Sequence, residues 1–101
     1  MEKEVKKQML RDFACKNDVD ILLLQEVAIN NFSFMTGYKS IVNIDEKNRG
    51  TAILYKHGFI MKKEKKLTNG RGIACELNNV TIGNIYAPSG NNRKREREFF
   101  L

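Results

Sequence analysis

Apolar side chains recur at helical spacing through the first part of the chain. Val5, Met9, Leu10, Phe13 and Ala14 share one stripe within residues 2–17, with lysine, glutamate, glutamine and arginine elsewhere, and this period predicts an amphipathic helix that ends at Asn17. The pattern then changes. Val19–Val27 is a near-continuous apolar run that stops abruptly at Gln25-Glu26, which predicts a strand buried on both faces with a polar C-terminal end. Residues 28–39, with Asn30-Asn31 and Gly37, read as a loop or short helix, followed by a strand at Ser40–Asn43 and a turn at Asp45–Asn48. Thr51–Tyr55 predicts a strand, His57-Gly58 a turn, and Phe59–Lys66 a lysine-flanked strand. Ile73–Leu77 and Val80–Tyr86 are two strands separated by Asn78-Asn79, a pair that tolerates the positive φ of a tight hairpin. Pro88 opens an Ala-Pro-Ser-Gly-Asn-Asn loop, and a helical pattern resumes at Arg93–Leu101.

A helix, a buried strand, a meander of strands and a second helix make an α/β arrangement. In such folds a helix crosses between neighbouring strands of one sheet, so a strand ahead of Glu2 is expected. The 101 residues allow one domain or part of one, with no repeat and no linker.

Charge adds a direction to this picture. The formal net charge is +6, yet residues 1–50 carry equal numbers of acidic and basic side chains, so the whole excess lies in the second half. It gathers at Lys62, Lys63, Lys65 and Lys66 and again at Arg93, Lys94, Arg95 and Arg97. That distribution suits a polyanion such as nucleic acid, or alternatively two solvated surfaces that keep the chain soluble. Cys15 and Cys75 fit neither a zinc spacing nor a disulfide framework and read as reduced thiols. The charged start lacks a signal-peptide h-region, and the longest apolar run, Ile21–Leu24, is far short of a membrane span, so an intracellular, soluble chain is expected.

Glu26 ends a buried strand, where α/β proteins place ligand-binding groups, and a hard cation such as Mg²⁺ is commonly held by one or two carboxylates. Alone, such a glutamate is more often an exposed strand end. Three further segments accompany Leu24-Gln25-Glu26: Arg49-Gly50-Thr51-Ala52-Ile53-Leu54, Asn69-Gly70-Arg71-Gly72-Ile73 and Asn84-Ile85-Tyr86-Ala87-Pro88-Ser89-Gly90. In order and approximate spacing, the four together resemble the endonuclease/exonuclease/phosphatase superfamily, and within it the apurinic-type endonuclease domain of non-LTR retrotransposons.

The resemblance implies a four-layer α/β sandwich in which two mixed sheets are flanked by helices, with this chain supplying roughly one sheet. It implies an Mg²⁺-dependent phosphodiesterase, Mn²⁺ being a possible substitute, that nicks DNA and sits in the nucleus beside a reverse transcriptase in the full-length protein. Glu26 matches the family's metal-binding glutamate and Tyr86 the tyrosine that hydrogen-bonds the phosphate or attacking group. Ser89, Asn91 and Arg93 fall in the loop where relatives touch the nucleic-acid backbone, and Arg71 is a further candidate contact or a plain surface residue. His57 does not lie in the motif that carries the family's histidine base.

The family's first strand with its metal-binding asparagine, its Gly-Asp-x-Asn segment and its Ser-Asp-His segment have no counterpart among these residues. An incomplete domain without nuclease activity of its own is therefore expected. Two other readings stay open: a non-catalytic basic nucleic-acid-binding remnant, and a phosphoesterase of the same superfamily acting on another substrate.

Overall fold

The computed structural model describes residues 2–45 and 49–86. Helix α1 (Glu2–Lys16) leads into β1 (Ile21–Gln25), and a long loop then reaches β2 (Tyr38–Ile44), β3 (Gly50–Lys56) and β4 (Met61–Lys66). A short 3-10 segment at Thr68–Gly70 precedes the hairpin of β5 (Gly72–Leu77) and β6 (Val80–Ile85). The strands form two three-stranded antiparallel sheets, in the orders β1-β3-β2 and β4-β5-β6. The chain is a small α/β protein with two sheets and one helix among its described residues.

The first sheet is the middle of three layers. Leu22, Ala52 and Leu54 on one of its faces join Ala14 of α1 and Val27, Phe32 and Met35 of the β1–β2 loop. On the other face Ile41, Ile53 and Tyr55 meet Ile73, Cys75 and Leu77 of the second sheet. Strand β3 is central to the first sheet and feeds both clusters, which explains its unbroken apolar run.

Several sequence expectations change here. Among the described residues strand β1 is a sheet edge instead of a strand buried on both faces: Leu22 packs inward, but Leu23 is 48% exposed. Both sheets are purely antiparallel among the described residues instead of mixed, and the chain supplies two facing sheets instead of roughly one. Short connections such as Asn78-Asn79, with φ of 49° and 67°, reverse the chain at once and so force antiparallel neighbours. The loop after β1 is part of the core, since Val27, Phe32 and Met35 are buried. The helical stripe also divides. Ala14 is buried and Leu10 packs beside it, whereas Val5, Met9 and Phe13 stay exposed. Cys15 is exposed and Cys75 buried, both free. The expected turn through Asn48 and the features after Tyr86, including the Arg93–Leu101 helix, lie wholly or partly outside the described residues. No described helix is long and apolar enough to cross a membrane.

At the end of the first sheet remote from Glu26, Lys56 closes the α1–β1 corner onto β3. Its ammonium donates to the Asp18 carboxylate and lies 3.4 Å from that of Asp20. The hydrogen bond and charge of Lys56 hold the Asp18 carboxyl below its ordinary range, and the hydrogen bond to Asp18 raises Lys56. A depressed carboxyl favours the folded state above its unfolded value, and that contribution disappears as pH falls through the lower folded value. Stability is therefore expected to sag below about pH 4, with the Asp18-dependent share absent in Lys56→Met. Urea midpoints between pH 2.5 and 6 measure it. Because both groups reach solvent, the difference between the two curves should be small.

Candidate functional site

Glu26 follows the last residue of β1 and Tyr86 the last residue of β6, so each stands at a strand end of a different sheet. Their side chains meet: the Tyr86 hydroxyl donates to Glu26 Oε1 at 3.3 Å, across sixty residues of sequence. Glu26 takes a left-handed backbone with φ of 56°, a conformation that costs a side-chain-bearing residue about 1–2 kcal/mol. That bend ends β1, and Val27 resumes contact by donating its N–H to the Gly50 carbonyl at 2.9 Å. Non-glycine residues held in this region cluster at ligand sites, where surrounding contacts enforce them.

Amide side chains tie the two strand ends together. Gln25 Nε2 donates to the Ile85 carbonyl at 2.9 Å and approaches Asn84 Oδ1 at 3.4 Å. Asn84, only 4% exposed, donates from Nδ2 to the carbonyls of Leu24 and Ala52 at 2.9 and 3.0 Å. One buried amide thus bonds both paired strands of the opposite sheet, one residue before Gln25 on β1 and two residues before Tyr86 on β6. Sequence reading missed this role. The available signal was a polar residue at an inward position of β6, in phase with the half-buried Ile82.

Beside Tyr86 lies an open cleft of about 610 Å³, lined by residues that include Asn43, Asp45, Arg49, Asn69, Arg71 and Tyr86. One wall is fixed by side-chain donors bonded to backbone carbonyls. Asn43 Nδ2 donates to the carbonyls of Leu67 and Gly72 at 2.7 and 3.0 Å, and the buried Thr51 hydroxyl reaches the Gly70 carbonyl at 3.4 Å. Gly70 has φ of 66°, and a Cβ there would stand 2.5 Å from the Arg49 carbonyl oxygen, so the approach requires glycine. Arg71 is exposed, and its carbonyl accepts the Tyr86 N–H at 2.7 Å.

Of the sequence-derived candidates, Glu26 and Tyr86 are in contact and Arg71 adjoins Tyr86, while Ser89, Asn91 and Arg93 lie outside the described residues. His57 follows β3 at the end opposite Gly50, about 20 Å from the site along a strand of this length. Lys62, Lys63, Lys65 and Lys66 are exposed along β4, an edge strand with a register shift between Lys62 and Lys65. Lys63 and Lys66 lie within 3.6 and 3.7 Å of Glu76 and Glu64.

An exposed carboxylate with a phenol beside it fits one protein ligand of Mg²⁺, which keeps most of its positions for water and phosphate. No cluster of three or more histidine, cysteine, aspartate or glutamate side chains occurs among the described residues. The chain matches no protein-family model, no curated protein and no solved structure.

Proposed function

We propose that this chain is part of an Mg²⁺-dependent phosphodiesterase acting on DNA, of the endonuclease/exonuclease/phosphatase kind that its four sequence segments resemble. The observation that carries the reading is the Tyr86–Glu26 hydrogen bond at 3.3 Å, which joins the two most family-like segments at one point. The two facing sheets would then be the centre of a larger four-layer sandwich, and residues elsewhere in that domain would complete the metal and water-activating groups.

In this reading Glu26 supplies a carboxylate to the cation, and Tyr86 holds that carboxylate in place and offers its hydroxyl to a phosphoryl oxygen. The bound cation would offset charge that builds on the phosphate in the transition state. Gln25 and Asn84 keep the two side chains at a fixed separation, so that little reorganisation is needed when substrate arrives. Arg71 contributes positive charge at the rim, and Ser89, Asn91 and Arg93 are proposed backbone contacts on the strength of the resemblance alone.

Mn²⁺ titration of the isotopically labelled chain tests this. Paramagnetic broadening should centre on Glu26 and Tyr86 and vanish in Glu26→Gln. Broadening spread over the surface, or unchanged by that substitution, would rule the reading out. With Mg²⁺ the 101-residue chain alone is expected to leave supercoiled plasmid intact, the catalytic set being incomplete. The exposed lysines of β4 favour the second reading, a non-catalytic nucleic-acid-binding module, which requires salt-sensitive DNA binding indifferent to Glu26→Ala.

A further inference from the structure

We propose that the cleft between Arg49 and Arg71 is a second phosphate subsite, which takes the phosphodiester next along a nucleic-acid strand from the one at Glu26 and Tyr86. The identity of the anion as nucleic acid rests on the functional reading above; the cleft itself does not.

Both arginines are tied by backbone to the Glu26–Tyr86 pair. Arg49 immediately precedes Gly50, whose carbonyl accepts the N–H of Val27, the neighbour of Glu26. Arg71 accepts the Tyr86 N–H at its own carbonyl. The backbone of each arginine thus lies beside a hydrogen bond that leads to one member of the pair or its neighbour, and both arginines line a single cleft that Tyr86 also lines. The cleft volume of about 610 Å³ is within the usual span of small-molecule sites and admits a nucleotide unit.

The walls are built in advance of any ligand. The Leu67–Gly72 segment is bonded to the Asn43 amide at both of its ends, and Gly70 lies so close to the Arg49 carbonyl that no side chain could separate them. A preformed wall spares the ordering cost that a flexible loop would incur on binding. Asp45 also lines the cleft, where its carboxylate accepts the Arg49 N–H at 2.9 Å; among the described lining residues two arginines accompany this carboxylate, and their planar guanidinium forks match phosphate oxygens. The β4 lysines, by contrast, lie on a sheet edge outside this cleft's lining.

The test is a titration of the full labelled chain with three probes: thymidylyl dinucleotide with a 5′-phosphate, the same dinucleotide without it, and inorganic phosphate. The 5′-phosphorylated dinucleotide should bind about tenfold tighter than either of the others, the factor that a charge-assisted hydrogen bond supplies, with amide shifts at Arg49, Gly70 and Arg71. The double variant Arg49→Ala/Arg71→Ala should lose that factor. Lys62→Ala/Lys65→Ala, which removes the same charge, should retain it, and Arg49→Lys/Arg71→Lys should retain part of it in a chain whose amide spectrum is unchanged. Equal losses in the two alanine doubles would overturn the subsite in favour of general charge attraction. Inorganic phosphate binding as tightly as the phosphorylated dinucleotide would overturn it in favour of a free-anion site. The dinucleotide titrations are run without metal, so failure of the Mn²⁺ experiment and failure of the cleft are separate results.

Discussion

Asn84→Ala should destabilise the chain by about 2–3 kcal/mol, because it removes two hydrogen bonds between the sheets at once and empties a buried position. Its Nδ2 is the donor to both Leu24 and Ala52, and at 4% exposure little water can replace it. Set against the usual 5–15 kcal/mol for a domain, such a loss lowers the melting temperature by about 10–20 °C. Gln25→Ala removes a bond at an exposed side chain and should cost only about 0.5–1 kcal/mol. Asn84→Asp separates packing from hydrogen bonding. It keeps the shape but faces two carbonyl oxygens with a carboxylate, so burial and those oxygens push its pKa up. A raised carboxyl pKa penalises the folded state once the group ionises, so Asn84→Asp should be weakest at neutral pH and recover part of its stability as pH falls and the protonated group can donate again. Urea unfolding of the three variants at pH 7 and pH 5 measures this. A loss for Asn84→Ala no larger than for Gln25→Ala would show that the amide does not join the sheets as described.

The same residue marks where sequence reading stops. The Asn78-Asn79 hairpin was legible because positive φ at two asparagines is a local property, and the strands flanking it alternate inward and outward with a period of two. Helix α1 and strand β3 were legible for similar reasons, their periods being written within a dozen residues. What lies across the molecule was not written locally. The apolar run of β1 is the same whether a strand is central or at an edge, and only its pairing, with β3 alone among the described residues, makes it an edge. The β1–β2 loop lacks a regular period, so nothing nearby announced that Phe32 and Met35 complete the core, although Val27 already belonged to the apolar run read as buried. At the site, Glu26, Tyr86 and Arg71 were named from their segments, whereas Asn84, Thr51 and Asn43 act through partners 19 to 60 residues away. Arg49 was visible as part of a segment, but its place in the same cleft as Arg71 depends on how Gly70 packs.

Gly50→Ala should be among the most damaging single-methyl changes in this chain, at a cost of at least about 3 kcal/mol. An added Cβ would stand 2.1 Å from the Asn43 carbonyl oxygen and 2.7 Å from Ile44 Cα, both backbone atoms of the paired strand β2. No rotamer change can relieve such a clash, so the ends of β2 and β3 must part. Gly83→Ala provides the opposite limit, since nothing lies within 4 Å of its Cβ position; it should be neutral or stabilising by up to about 1 kcal/mol through the entropy of the unfolded chain. Gly58→Ala also meets open space, but at φ of 106° it should cost about 1–2 kcal/mol from backbone strain. Denaturant midpoints should therefore rank Gly83→Ala, Gly58→Ala and Gly50→Ala in order of falling stability. The last change also bears on the site, because the Gly50 carbonyl receives the Val27 N–H beside Glu26 and Arg49 precedes it on the cleft wall. Parting β2 from β3 there moves Asn43, whose amide holds the Leu67–Gly72 segment, and so withdraws one wall of the cleft from the other. If Gly50→Ala proves as mild as Gly58→Ala, β2 does not pair with β3 at Ile44, and the cleft loses the support on which the second phosphate subsite depends.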